Sequence, residues 1–381
     1  MIYLDNAATS YEKPKGFYGA MNYFTKKYSV NSGRGGHRFS LEGMSGIIET
    51  SENLCEMFSI ESPDCIAYSL NATMSLNQAI GGILSRGGHA VVTQMEHNSV
   101  LRPVHAFGNY TIVNADSLGR ISAEDVRSAI REDTRLVVST HASNVCGTVM
   151  PIEEIGKIAH ENGAYFLVDA AQTAGCKPID VDKMNIDMMA FSAHKGLLGP
   201  LGVGGLYVKS GIKLMPVISG GTGSQSQSLT QPETMPDMLQ AGTMNTPAIM
   251  ALGESILYIN KIGVQNISDH QRALAFMLID NLKNMSGVTV YGITSPGEGE
   301  RNGTVLFNID GIESGELCEI LDRRFGIAAR GGWHCAYPAH CALGSEKSGA
   351  LRASFGVFSN KKGVRVLTDA VHRICRETAF Q

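Results

Sequence analysis

Long apolar runs are missing from this sequence. No stretch approaches the roughly 18 uninterrupted apolar residues of a membrane span, so no membrane partner is expected. A charge excess is missing too: 32 Lys and Arg stand against 36 Asp and Glu, a formal charge of −4. That argues against a nucleic-acid partner, whose phosphates call for a basic surface. The first residues, Met1-Ile2-Tyr3-Leu4-Asp5, lack a basic region followed by an apolar stretch, and no signal peptide is expected. Internal repeats and low-complexity tracts are absent. The eight cysteines, at 55, 65, 146, 176, 318, 335, 341 and 375, show no framework spacing. In a chain of this size they read as reduced thiols and a cytoplasmic location.

What is present points to a folded α/β protein. The 381 residues, 43% of them hydrophobic, are enough for a substantial core. Glycine is in excess, 43 of 381 against the usual ~7%, with no collagen period. The surplus belongs where backbones turn tightly or approach something closely. Short β-branched runs at 65–70, 90–94, 136–140, 165–169, 188–191 and 204–208 alternate with helical segments. One helix is well punctuated, with Pro151 opening it, an Ile152, Ile155, Ile158 and Ala159 stripe, and Gly163 after it. The pattern predicts a mostly parallel sheet with ligands at the carboxyl ends of its strands.

Residues 219–245 are Gly/Ser/Gln-rich and aperiodic, the mark of a functional loop or interface element. Helices are expected at 247–261 and 268–285. Beyond them, strands at 304–309, 327–329 and 351–355 and helices at 314–324 and 360–377 read as a smaller α+β unit. The expected division is a large domain over 16–261 and a small one over 262–381, with residues 1–15 packing on either.

Four strand ends carry chemistry. Phe191-Ser192-Ala193-His194-Lys195-Gly196 puts a lysine where a desolvated amine could form a Schiff base with a carbonyl. Twenty-six residues earlier, Tyr165-Phe166-Leu167-Val168 ends in Asp169, a carboxylate suited to the ring nitrogen of pyridoxal phosphate. Glu96-His97-Asn98-Ser99 offers an imidazole able to stack on a flat heterocycle. Asn71-Ala72-Thr73 opens a helical stretch, where free N–H groups and a hydroxyl suit a phosphate. Each has an ordinary explanation in isolation: a solvated lysine, a helix-capping Asp, a packed histidine, an N-cap. Their order on successive strand ends does not.

In that order the chain resembles the class V, fold-type I pyridoxal-phosphate enzymes, and among them the Suf-type (group II) cysteine desulfurases and selenocysteine lyases. The resemblance runs from Leu4-Asp5-Asn6-Ala7-Ala8-Thr9 through Ser143-Asn144-Val145-Cys146-Gly147-Thr148 and Asp169-Ala170-Ala171-Gln172. It extends to Ala241-Gly242-Thr243-Met244-Asn245 and Arg330-Gly331-Gly332-Trp333-His334-Cys335-Ala336. It implies that Lys195 holds the cofactor, Asp169 its ring nitrogen and His97 its ring face. Asn144 and Gln172 resemble the side chains that hold the substrate carboxylate and the cofactor's phenolic oxygen. Ala72, Thr73, Ser192 and His194 match the phosphate cradle. Thr243 resembles a residue that reaches the phosphate across a dimer interface, implying a homodimer. Arg352 resembles the arginine that grips the substrate carboxylate with its bidentate fork.

Cys335 resembles the thiol that takes sulfur from L-cysteine, leaving L-alanine and a persulfide. Arg330 and His334 are expected beside the substrate and as sources of positive charge for the thiolate. The persulfide implies a sulfur-acceptor protein, with iron–sulfur cluster assembly as one destination. Two departures stand out: Asn71-Ala72-Thr73 replaces a common Gly-Thr-Thr, predicting one hydroxyl fewer, and Met244 replaces a common proline.

Other readings stay open at this point. A cysteine or cystine C–S lyase would use the same cofactor and make pyruvate without the thiol, and selenocysteine is an alternative substrate. The stretch His334-Cys335-Ala336-Tyr337-Pro338-Ala339-His340-Cys341 carries two His-Cys pairs, and a zinc-binding module is a remote alternative. The pairing also raises a disulfide or persulfide relay between Cys335 and Cys341.

Overall fold

The structure, a computed structural model, describes residues 1–378. The first two thirds of the chain alternate strand and helix. In order they are β1 (Ile2–Tyr3), α1 (Phe17–Tyr28), α2 (Arg38–Phe58), β2 (Ile66–Ser69), α3 (Ala72–Leu84) and β3 (His89–Thr93). Next come α4 (Asn98–Phe107), β4 (Tyr110–Val113), α5 (Ala123–Ala129), β5 (Thr134–Thr140), α6 (Ile152–Glu161), β6 (Tyr165–Asp169), β7 (Met188–Ser192) and β8 (Gly204–Val208). Strands β2 to β8 form one seven-stranded sheet in the order β2-β8-β7-β6-β5-β3-β4. Only β8 runs antiparallel to its neighbours. Helices cover both faces, which is why strands such as β3 and β6 are apolar almost throughout.

The parallel arrangement is what builds a site. Register pairs Thr140 with Asp169 and Asp169 with Ala190, so the carboxyl ends of β5, β6 and β7 lie side by side. The turn after β3 joins them, because Glu96 Oε1 accepts the Thr140 N–H at 2.8 Å. At Gly204 the glycine excess has its reason. A Cβ there would lie 2.6 Å from the Asn71 carbonyl carbon, so only glycine lets β8 run against the start of α3.

The remaining chain contains α7 (Thr246–Ile262), α8 (Val264–Leu282), β9 (Val288–Tyr291), β10 (Thr304–Ile309), α9 (Ser314–Phe325) and β11 (Ile327–Ala328). It ends with α10 (Tyr337–Leu343), β12 (Leu351–Ser354) and α11 (Lys361–Thr378). Gly263, at φ 89°, separates α7 from α8. An antiparallel sheet of order β12-β10-β9 packs on α8, α9 and α11 around a second apolar cluster that includes Leu4, Leu278, Phe307 and Val371.

The N-terminal segment touches both sheets' surroundings. Strand β1 pairs in parallel with β11, while Ser10 N–H donates to the His194 carbonyl at 2.9 Å and Gln172 donates to the Ala7 carbonyl. Three expectations need correction. The helix expected at 268–285 starts four residues earlier, after Gly263. Residues 337–343 are helical rather than loop, opened by Pro338. Strands β4 and β9 went unread; both are sheet edges with mostly half-buried side chains. Residues 219–245 contain no helix or strand, as expected of a loop.

Candidate active site

A cleft of about 910 Å³, partly open to solvent, lies at the shared strand ends. At the end of β7, Ser192 reaches α3, its Oγ accepting the Ala72 N–H at 3.1 Å. Asn71 caps the same helix by accepting the Met74 N–H. Between these two, the Thr73 N–H has no partner among the described residues, and Thr73 lines the cleft. The Thr73 hydroxyl is 2.7 Å from Ser99 Oγ, which is 2.9 Å from His97 Nδ1. His97 Nδ1 also accepts the Ser99 N–H, so its proton sits on Nε2. Burial, with Lys195 nearby, lowers the His97 pKa to about 4, and the ring is neutral.

Lys195 and Asp169 face each other across this cleft. Among the described residues the Lys195 amine has no hydrogen-bond or ion-pair partner, and burial lowers its pKa to about 8, against an opposing pull from Asp169. One Asp169 oxygen accepts the Ala171 N–H at 2.9 Å, and the other has no partner among the described residues. Burial raises its pKa while the Lys195 charge opposes that rise.

The opposite wall comes from the C-terminal part of the chain. Arg330 and Arg352 are antiparallel bridge partners on adjacent backbone. Arg352 is 1% exposed. It donates through Nη1 to the Asn144 carbonyl at 2.9 Å and through Nη2 to Asp5 at 2.8 Å. Asn144 Nδ2 in turn donates to the His334 carbonyl. Asn144 thus links the arginine to the cysteine loop, a connection the sequence did not suggest.

The cleft brings together Ala72, Thr73, His97, Asn144, Asp169 and Gln172 with Ser192, His194, Lys195, Arg330, His334 and Arg352. Two expected residues stand apart. Cys335 is exposed at the rim, its carbonyl accepting the Asn98 N–H at 2.8 Å. Thr243 is exposed on the 219–245 segment, away from the cleft. His334 requires a correction as a source of positive charge. Burial, and Arg352 beside it, push its pKa down to about 2, so the imidazole is neutral and Arg330 and Arg352 carry the charge. The two His-Cys pairs build no zinc site: among the described residues no three His, Cys, Asp or Glu converge as metal ligands. Sequence reasoning missed Asp5, Ser99 and Glu96 as partners of site residues. All three sit inside recognisable motifs, but no local spacing signals their contacts.

The cleft fits pyridoxal phosphate. Two buried nitrogens of residues that line it, His194 Nδ1 and Arg352 Nε, have no hydrogen-bond partner among the described residues. With the Thr73 N–H they are donors that a phosphate and a carboxylate would satisfy, His194 through an Nδ1–H. The free Asp169 oxygen and free Lys195 amine complete the set.

Residues 2–367 match the Aminotransferase class-V family. The chain belongs to that family. Its enzymes depend on pyridoxal phosphate. A protein named probable cysteine desulfurase from Methanothermobacter thermautotrophicus is 34% identical, covering 98% of this chain and 94% of its own. A cysteine desulfurase from Haloferax volcanii is 32% identical over 97% of this chain and 88% of its own. The solved apo structure of a Thermococcus onnurineus cysteine desulfurase superposes with a TM-score of 0.90 at 30% identity, covering 99% and 95% of the two chains. A cysteine desulfurase from Escherichia coli superposes at 0.86 and 26% identity, covering 97% and 94%. The mostly parallel sheet flanked by helices is thus that of fold-type I enzymes. No described helix is long and apolar enough to cross a membrane.

Proposed function

We propose that this class-V enzyme is a pyridoxal-phosphate-dependent cysteine desulfurase that converts L-cysteine to L-alanine and leaves the sulfur as a persulfide on Cys335. The observation that carries the reading is the Cys335 loop. It is hydrogen-bonded to the cofactor side of the cleft at two consecutive carbonyls, His334 to Asn144 and Cys335 to Asn98.

Bound in the cleft, pyridoxal phosphate would supply an electron sink for charge developing on the substrate carbons. Lys195 would hold it, Asp169 would face its ring nitrogen, and His97 its ring. Gln172 suits the phenolic oxygen, and the α3 N-terminus with Thr73, Ser192 and His194 suits the phosphate. Arg352, with Arg330 beside it, orients the substrate α-carboxylate. Lys195 Nζ, neutral in a larger fraction than an ordinary lysine, takes up a substrate proton. The Cys335 thiolate attacks the substrate sulfur, forming an S–S bond as the carbon–sulfur bond breaks. The bonding electrons stay with the carbon skeleton, which is protonated and leaves as alanine.

The same reading divides the chain near residue 262 into a large domain, 16–261, and a small one, 262–381, with residues 1–15 packing on the small one. Exposure of Thr243, with Val217, Ile218 and Leu229 exposed nearby in sequence, supports a homodimer in which Thr243 serves the second copy. A cytoplasmic setting suits the unpaired cysteines. The persulfide would pass to an acceptor protein at the exposed rim, with iron–sulfur assembly among its uses.

A C–S lyase is the second reading, favoured by one observation: the Cys335 side chain is exposed at the rim and does not line the cleft. The carbon product decides. Purified enzyme with L-cysteine should give alanine, lost in Cys335→Ala. Pyruvate that survives the substitution would make the protein a lyase.

A further inference from the structure

The Cys335 loop adopts a backbone that side-chain-bearing residues avoid. His334 (φ 51°) and Cys335 (φ 57°) are both left-handed and neither is glycine. Such conformations persist only where their surroundings over-determine them. The two carbonyls are tied to Asn144 and Asn98, and the His334 ring is held from behind.

That hold is a relay of fixed direction. His334 Nε2 lies 3.1 Å from the Arg330 carbonyl, and a carbonyl only accepts, so Nε2 carries the proton. Nδ1 must then accept, and it lies 3.2 Å from His340 Nε2. His340 therefore donates through Nε2 and accepts through Nδ1, 2.8 Å from the Ser345 hydroxyl. One carbonyl sets every proton in the chain. The rings are buried and nearly parallel, with centroids 5.4 Å apart and planes 15° apart. Arg352 and Arg330 face His334, and Arg352 faces His340, so neither ring is placed to take a charge. Cys341, the other half of the second His-Cys pair, is exposed and outside this relay.

We propose that His340 and Ser345 are positioning residues for sulfur transfer: through His334 they hold the left-handed turn that presents Cys335 at the cleft. Neither hydrogen-bonds to Cys335 or Lys195. The proposal rests on Cys335 being the sulfur-accepting thiol. It gives His334 a task that needs a neutral imidazole in one tautomer, in place of the cationic task its position beside the cysteine suggested.

The holoenzymes of the parent, His340→Leu, His340→Gln and Ser345→Ala test it, by kcat and KM for L-cysteine and by acrylamide quenching of fluorescence. Trp333, the sole tryptophan, lies two residues from Cys335 and reports this loop alone. His340→Leu should lower kcat about tenfold or more with KM within about twofold, and Trp333 should become more quenchable. His340→Gln keeps a donor for His334 Nδ1 and should recover most of kcat, and Ser345→Ala should lose about threefold. Parent-like kcat and quenching in both His340→Leu and Ser345→Ala would overturn the proposal, as would equal losses in Leu and Gln variants. Should His340→Leu fail to fold, Ser345→Ala and His340→Gln decide by the same criteria. Cys335→Ala separates the two claims: alanine formation that survives it refutes the role of Cys335, and Trp333 quenching still judges the relay.

Discussion

Asp5 and Arg352, 347 residues apart in sequence, meet in a 2.8 Å ion pair at the wall of the cleft. Strand β1 brings Asp5 there by pairing with β11, and the Leu4 carbonyl accepts the Ser354 N–H beside it. With Nη1 on the Asn144 carbonyl, the guanidinium is held by two separate parts of the chain before any substrate arrives. A group aimed in advance loses little freedom on binding. Its Nε, buried and without a partner among the described residues, remains for an incoming carboxylate.

Asp5→Asn should therefore act on binding and stability more than on chemistry. It leaves the buried Arg352 charge uncompensated, a loss of roughly 3 kcal/mol, at the low end because the Asp5 side chain is 20% exposed. KM for L-cysteine should rise about tenfold with kcat little changed. Urea unfolding and steady-state kinetics check both, and parent-like values in the two would remove Asp5 from the account.

Lys195 makes a prediction whose sign depends on pH. Its amine falls from 10.5 to about 8 in the fold, mainly through burial. Between those values the unfolded chain binds the extra proton, so this group makes apoprotein stability rise with pH across the window. Below pH 8 the full penalty of burying a cation applies. Apo Lys195→Ala should thus be more stable than the apo parent at pH 7, by roughly 1–3 kcal/mol, and the gap should close by about pH 10.5. The variant should also lack the bound-cofactor absorbance, and an unchanged spectrum would dismiss Lys195 as the cofactor's anchor.

Asp169→Asn keeps the shape of a buried side chain and removes its charge. Asp169 lines the cleft with one oxygen unpartnered among the described residues, so cofactor should still bind while kcat falls about a hundredfold or more. A kcat within a few-fold of the parent would exclude a charge requirement at that position.

Much of this arrangement was legible because a parallel sheet converts sequence order into spatial order. Residues after β3, β6 and β7 had to meet once those strands were recognised, and β6 and β8 have the bounds their apolar runs suggested. Edge strands β4 and β9 were not legible, since half-buried side chains carry no clean period. Nor was the charge state of His334, which is set by burial and by Arg352, brought beside it from β12. The Asp5–Arg352 pair was beyond any local pattern, because only the tertiary fold joins residues at opposite ends of the chain.

Arg301 supports the site from a distance and offers the last test. It is 2% exposed and has no carboxylate partner among the described residues. Its guanidinium donates to the carbonyls of Ile293, Cys146 and Thr304, and packs 5.6 Å from the centre of the Phe276 ring. Burial lowers its pKa to about 10, which still leaves it charged at neutral pH. Those carbonyls stitch β10 to the loop carrying Asn144, two residues before Cys146. Replacing the side chain by methionine keeps most of its volume and strands three buried acceptors. Arg301→Met should cost roughly 3 kcal/mol or more and raise KM through the Asn144–Arg352 contact. Arg301→Lys, with one compact donor group for three diverging carbonyls, should recover only part of the loss. Urea unfolding beside KM measurements checks the pair. A methionine variant as stable as the parent would show that the three carbonyls find other donors, and that the charge is not what joins β10 to this loop.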